Sequence, residues 1–573
     1  MARATPRSPR GTGRAILPAP SPMKIKLLLV SVLGAAAAAL GADPTPAISA
    51  ANILAHTKVL SSDEFEGRAP GSPGEEKTVA YLIQEFKQLG LQPGNPDGTY
   101  IQNVPLVGIS STPSLSFSID GHTLALENIN DYIGPSSRIT PHVEAKDTDV
   151  VFVGYGVVAP EFGWDDYKGV DVRGKTVVML INDPPVLGAD GQLDPKVFGG
   201  KAMTYYGRWT YKYEIAAEKG AAACLIVHET QAAAYPFAVL IGSNTRENFE
   251  ISAPDKNAGH VGMQGWLTLD TARRVFAAAG TSYDTLKAAA ARRDFHPVTL
   301  GAKASFAVDN VLRNVASRNV VALLPGSDPK LRNEYVIYTA HWDHLGRNPN
   351  LPGDQIYNGA ADNAAGCAVL LELARAYTTL PADQRPKRSI VFLSVTAEEK
   401  GLLGSRYYAS DPLYPLNRTL ANINMDGANQ FGPTSDMATV GFGASTIDDI
   451  GIAVAAAQGR KMYPEAHPEN GSYYRSDHFE FAKVGVPSYY PKNGTHYIGQ
   501  PDDFSETHVK DYIANRYHKV TDEVQPDWTF EGAAQDTLFL LQVGWRIANG
   551  DTWPEWKPGN EFKARRDAMM AKK

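Results

Sequence analysis

The sequence predicts an α/β protein: a mostly parallel sheet flanked by helices, with a smaller β-rich module inserted. Three observations carry that expectation. From about Pro297 to Phe562, short fully apolar runs (NVVALL, YVIYTA, SIVFLSV, MATVGF) alternate with helix-patterned stretches (CAVLLELARAY, IGIAVAAAQ). Strands apolar on both faces are covered on both sides, the pattern of a parallel sheet between helices. Upstream, VVFVGYGVV, GKTVVMLIND and ACLIVHE form a run of short strands with one helix-like stretch, YKYEIAAEKGA, and no tight cluster of ligand-type side chains, which reads as a non-catalytic module. Finally, 573 residues at 43% hydrophobic and 20% charged can bury more than one core.

Taken in order, residues 1–42 read as an N-terminal extension and signal peptide. Met23 opens MKIKLLLVSVLGAAAAALGADP, two lysines followed by an apolar stretch too short to span a membrane, with cleavage near Gly41 or Ala42. Its removal takes away six basic residues and no acid, moving the formal charge from −7 to −13. An acidic exported chain is a poor partner for nucleic acid or anionic membranes, so the expectation is a periplasmic or secreted bacterial protein, not an integral membrane protein. Residues 43–137 form a first segment of the main domain. In it EEKTVAYLIQEFKQLG places Val79, Leu82, Ile83, Phe86 and Leu89 at helical spacing, with Gly90 as the stop. Residues 138–290 are the insert, and 291–573 the main segment. Cys224 and Cys367 sit among small apolar residues and read as two buried free thiols.

In open α/β sheets functional groups gather beyond the carboxyl ends of the strands. After YVIYTA stands HWDHLG, with His341 as a candidate metal ligand and Asp343, two residues on, as an orienting carboxylate. NGAADNAAG places Asp362 before an apolar helix, where an acid either caps the helix or turns to a ligand. SIVFLSVTA ends in Glu398 and Glu399, and adjacent acids closing a buried strand must be paired, metal-bound or protonated. They diverge in direction, so one can hold a metal while the other faces water. NMDG adds Asp426 and RYHKVTDE adds His518. Together these are the imidazoles and carboxylates that a two-zinc site requires.

The ordered set AHWDH, GAADNAAG, TAEEKGLLGS, NMDG and YHKVTDE resembles the M28 family of co-catalytic zinc peptidases, with its zinc-aminopeptidase-like, phosphorylase/hydrolase-type fold. The middle zone is similar to a protease-associated (PA) domain. The resemblance implies two zinc ions held by His341, Asp362, Glu399, Asp426 and His518, with Asp362 bridging and Glu398 as general base. YHKVTDE resembles the family's His-x-x-x-Asp signature, which singles out His518 from His478, His496 and His508. SDHFEF, with Asp477, resembles the segment lining the substrate pocket. Tyr473 and Tyr474 just before it are candidate donors to an oxyanion, set against plain aromatic packing.

The function expected is peptide hydrolysis by an aminopeptidase. A zinc carboxypeptidase of the glutamate-cleaving type would instead need cations for a terminal carboxylate, for which Arg406 and Arg475 stand near the motifs. A binding protein on the same fold would have lost ligands, and here the set is complete.

Overall fold

The computed structural model describes residues 42–571, and from Pro44 onward the chain forms one unit. The leader read at residues 1–42 lies outside them but for its last residue. No helix among the described residues is long and apolar enough to cross a membrane.

Among the described residues, sixteen strands form one sheet. At its centre Tyr335–His341 pairs in parallel with Ser389–Val395 on one side and Thr419–Asn424 on the other, and Ser488–Lys492 continues the parallel order. Every residue of the first three strands is buried. Alternation explains why they read as unbroken apolar runs: Val336, Tyr338 and Ala340 face one core, while Tyr335 and Ile337 face another. The first core is filled from Ala365–Thr378, Glu531–Asn549 and Pro73–Gln88, the last bringing the expected Val79, Leu82 and Phe86. Each large apolar side chain buried this way contributes about 1.5–3 kcal/mol.

Two long strands tie the insert to this sheet. Ile101–Ile119 and Val298–Leu324 run antiparallel, paired from Val320↔Ile101 to Ala302↔Ile119. At one end Val298–Leu324 pairs with Ser389–Val395, at the other with His142–Phe152. Beyond lie Thr176–Leu180, Ala223–His228 and Met263–Thr268, parallel to one another. The insert carries more helix than its sequence reading: Trp209–Glu218 is joined by Phe237–Asn244, Leu269–Ala278 and Tyr283–Ala290. Its core also reaches past 138–290, taking Leu115, Phe117 and Ile119 from one ribbon strand and Leu300 to Val308 from the other. A strand shared by two cores carries no composition break to mark where one part ends. Cys224 and Cys367 are buried and free.

Candidate metal centre

Three neighbouring parallel strands deliver their polar ends to one edge. His341 closes the first, Glu398 and Glu399 follow the second after a turn through Ala397 (φ 53°), and Asp426 follows the third. Asp362 comes from the turn before Ala365–Thr378, and His518 (φ 58°) from the loop after Phe504–Asn515. Asp362 is not that helix's cap: Asn363 Oδ1 takes the Gly366 N–H at 3.0 Å, leaving the Asp362 carboxylate free to turn inward.

That carboxylate lies between two imidazoles. Its Oδ1 is 3.3 Å from His341 Nε2 and its Oδ2 is 3.3 Å from His518 Nε2. On one side His341 Nε2 is also 3.7 Å from Asp426 Oδ1 and 4.0 Å from Glu398 Oε2. On the other, Glu399 Oε2 is 3.1 Å from His518 Nε2 and its Oε1 is 2.6 Å from His344 Nδ1. The structure thus brings together His341, Asp362, Glu398, Glu399, Asp426 and His518, and adds His344, which stands in the same HWDH stretch three residues after His341. Of the competing histidines, His496 pairs with Asp436 and His508 packs on Phe504 and Phe431. His478 is buried against the Tyr473 and Tyr490 rings, near Asp426.

Asp343 behaves differently from the expectation. Its carboxylate stands 3.8 Å from His341 Nδ1, beyond hydrogen-bond reach, and it is the main-chain carbonyl of Asp343 that meets Nδ1 at 3.2 Å. A proton on Nδ1 donated to that carbonyl leaves Nε2 as the free lone pair. The carboxylate instead accepts the N–H groups of Glu398 (3.0 Å) and Glu399 (3.4 Å), so it shapes the turn that aims both glutamates. Asp522, the acid of YHKVTDE, does the same for the Asp362 turn, accepting the N–H groups of Ala361 and Asp362, each at 3.1 Å.

Arg68, from the early EGR stretch, ties these loops from behind. Its buried guanidinium donates to the carbonyls of Leu60 (2.7 Å), Trp342 (2.9 Å), Asn358 (2.6 Å) and Gly359 (2.9 Å). Trp342 lies between His341 and Asp343, and Gly359 three residues before Asp362. Tyr474 gives its hydroxyl to Glu561 Oε1 (2.6 Å), whereas the buried Tyr473 hydroxyl has no partner. Asp477 is fully buried, with one oxygen taking Ser405 Oγ (2.7 Å) and the other unpartnered.

Crowded acids dominate the electrostatics. Burial pushes the Glu398 carboxyl well above the usual range, with Asp426 and Glu399 adding to the rise. Glu399 is also raised by burial, but the His518 and His344 charges outweigh that and hold it well below its ordinary value. His518 would lose its proton easily on burial alone, yet Glu399 and Asp362 lift it to about 10. The crowded carboxylates raise the proton affinity of both His341 and His518, so the site favours positive charge. The donor set also fits zinc: His341 Nε2 is buried and faces three carboxylates, and two groups of ligating atoms, His341/Asp362/Asp426 and His344/Asp362/Glu399, share Asp362.

Fold and site define an α/β protein with a paired imidazole–carboxylate centre at the carboxyl ends of a parallel sheet. Residues 319–541 match the family model of Peptidase family M28. Among curated proteins the chain is 38% identical over 130 residues to "Aminopeptidase NAALADL1" of Mus musculus, covering 22% of this chain and 16% of the mouse protein. It is 35% identical over 117 residues to "Aminopeptidase YwaD" of Bacillus subtilis, covering 20% and 22%. A "Probable zinc metalloprotease" of Pyrenophora teres f. teres is 37% identical over 119 residues, covering 21% and 24%. The chain therefore spans no more than about a quarter of these relatives' length. Among solved structures it is similar to an aminopeptidase from Aneurinibacillus sp. strain AM-1, with a TM-score of 0.46 and 20% identity over 90% of this chain and 95% of that one.

Proposed function

We propose that the protein is a dizinc peptidase that removes N-terminal residues from peptides, and that the bacterial cell exports it. The observation that carries this reading is the placement of Asp362, one oxygen toward His341 and the other toward His518, with Asp426 flanking the first imidazole and Glu399 the second. His341, Asp426, Glu399 and His518 would hold two zinc ions with Asp362 between them, and His344 sets the orientation of Glu399. Zinc bound there supplies Lewis acidity, lowering the pKa of water and polarising the scissile carbonyl. Glu398, whose carboxylate reaches the His341 side of the centre, takes the proton of the attacking water and passes it to the leaving amine. The acids on the Asp426 side, Glu398 and Asp477 among them, favour the α-ammonium of an unblocked peptide.

The test is product analysis of zinc-loaded protein with one peptide library in three forms: unblocked, N-acetylated and C-amidated. Cleavage abolished by acetylation and retained on amidation is the expected result. Abolition by amidation instead would make the protein a carboxypeptidase, and no cleavage of any form would leave a binding protein.

Two further outcomes follow from the geometry. Asp343→Asn leaves a single acceptor oxygen for two amide donors, so zinc affinity measured by chelator competition is expected to fall on the order of 10–100-fold, with the melting temperature close to that of the parent. Tyr473→Phe removes the one hydroxyl of the tyrosine pair still able to donate. It is expected to lower kcat by about 10²-fold at unchanged KM, whereas Tyr474→Phe, which breaks a structural bond to Glu561, should register in the melting temperature and not in kcat.

A further inference from the structure

One strand of the insert is built into the half of the molecule that holds the metal centre. Asn248–Ile251 pairs antiparallel with Leu106–Ile109 of the ribbon, in the half of the ribbon that runs into the peptidase sheet. Its Phe249, only 6% exposed, shares a small apolar cluster with Val104, Leu106 and Val315 of the ribbon and with Ala397 and Leu403. Those last two residues bracket the turn that carries Glu398 and Glu399, and the Leu403 N–H closes it on the Ala397 carbonyl at 3.0 Å.

That turn needs external support. Ala397 and Leu402 both hold left-handed backbone (φ 53° and 59°), which a residue with a side chain keeps only where its surroundings impose it. Asp343 holds the turn through the two glutamate N–H groups. The insert supplies the remaining ties. Lys400 Nζ donates to the Glu247 carbonyl at 3.3 Å and lies 6.0 Å from the centre of the Phe249 ring. Arg406, on the helix Leu403–Ser410 that leaves the turn, pairs with Glu250 at 2.9 Å. Glu247 is itself fixed to the ribbon by a forked bond from Arg313, at 3.0 and 2.6 Å. Water can replace a polar tie at a partly exposed site, but a buried ring taken from beside Ala397 leaves a void into which the turn relaxes.

We propose that Phe249 is a positioning residue for the reaction: the insert strand seats the turn that aims Glu398 at the water and Glu399 at the metal, so the insert acts on catalysis through that turn. This rests on the peptidase reading for the role given to Glu398.

The test compares Phe249→Ala with Phe276→Ala, which removes a fully buried ring from the insert's own core. In the zinc-loaded full chain acting on an unblocked peptide, Phe249→Ala is expected to lower kcat about 10²-fold at near-parent KM. Zinc affinity by chelator competition should fall about tenfold, because Glu399 rides on the same turn. Phe249→Leu, which keeps much of the apolar seat, should recover most of the lost kcat. Phe276→Ala should lower the melting temperature at least as far, with kcat and zinc affinity at the parent level. In metal-free protein the Glu398 and Glu399 amides should exchange with deuterium about tenfold faster in Phe249→Ala and at the parent rate in Phe276→Ala. If Phe249→Ala does not fold, Glu250→Gln at the partly exposed Arg406 pair decides: a kcat lowered about threefold at unchanged KM sustains the role, and parent kcat overturns it. A loss confined to KM, an equal loss of kcat in Phe276→Ala, or unchanged amide exchange would overturn the positioning role while leaving the peptidase reading intact. If the parent cleaves no peptide, faster exchange in Phe249→Ala alone would sustain the seating of the turn without the peptidase.

Discussion

Glu398→Gln is expected to lower kcat on an unblocked peptide by about 10²–10⁴-fold while zinc content and affinity stay at the parent level. The carboxylate is placed to accept a proton: it lies at the end of a fully buried strand, 4.0 Å from His341 Nε2, and its main-chain N–H is fixed by Asp343. Burial and the neighbouring acids raise its proton affinity far above that of a free glutamate, which suits a group that must take a proton and give it back. Glutamine keeps the size and the hydrogen-bonding capacity but cannot carry the proton. Its neighbour supplies the contrast. Glu399→Gln weakens an acceptor shared by His344 and His518, so its first consequence should be loss of metal rather than loss of turnover by a loaded enzyme. Steady-state kinetics alongside metal analysis separates the two, and a Glu398→Gln enzyme with near-parent kcat would remove the residue from its role.

Arg68→Met is expected to destabilise the fold by on the order of 4 kcal/mol, read as a lower denaturation midpoint, and to weaken zinc binding in the fraction that folds. The guanidinium is 1% exposed and collects four carbonyl oxygens from three separate segments: Leu60, Trp342, and Asn358 with Gly359. Methionine fills much of the volume but leaves those oxygens buried without donors, each at a cost of about 1–3 kcal/mol before relaxation. Two of these segments lead into His341 and Asp362, so relaxation moves the ligands. Lysine, with three donors and no fixed fork, is expected to recover only part of the loss.

The strand ends were legible in the sequence because the local rule is strong: an apolar run such as YVIYTA followed by His341, or SIVFLSVTA followed by Glu398 and Glu399, needs no tertiary information to stand out. Asp362 could be read two ways, as cap or ligand, and the choice is made by Asn363 taking over the helix-capping bond. What lies behind the site was not legible. Asp343 was expected to orient His341, but its carboxylate meets the amides of Glu398 and Glu399, more than fifty residues away, an approach set by the pairing of two strands. Arg68 reads as one basic residue in a polar loop, since Trp342, Asn358 and Gly359 lie about 270 to 290 positions further on. His344 was in plain view in HWDH, yet it follows the last strand residue in an irregular stretch where no periodicity predicts its direction. The insert's limits were hidden for another reason: Val298–Leu324 serves both parts of the sheet as a single 27-residue strand.

The measurement that bears most directly on the central claim is a crystal structure of zinc-loaded protein with anomalous difference maps recorded at the zinc edge. Two peaks about 3.5–4 Å apart on either side of the Asp362 carboxylate, one toward His341 and Asp426 and the other toward Glu399 and His518, are the predicted result. A single peak, or zinc bound away from Asp362, would contradict it.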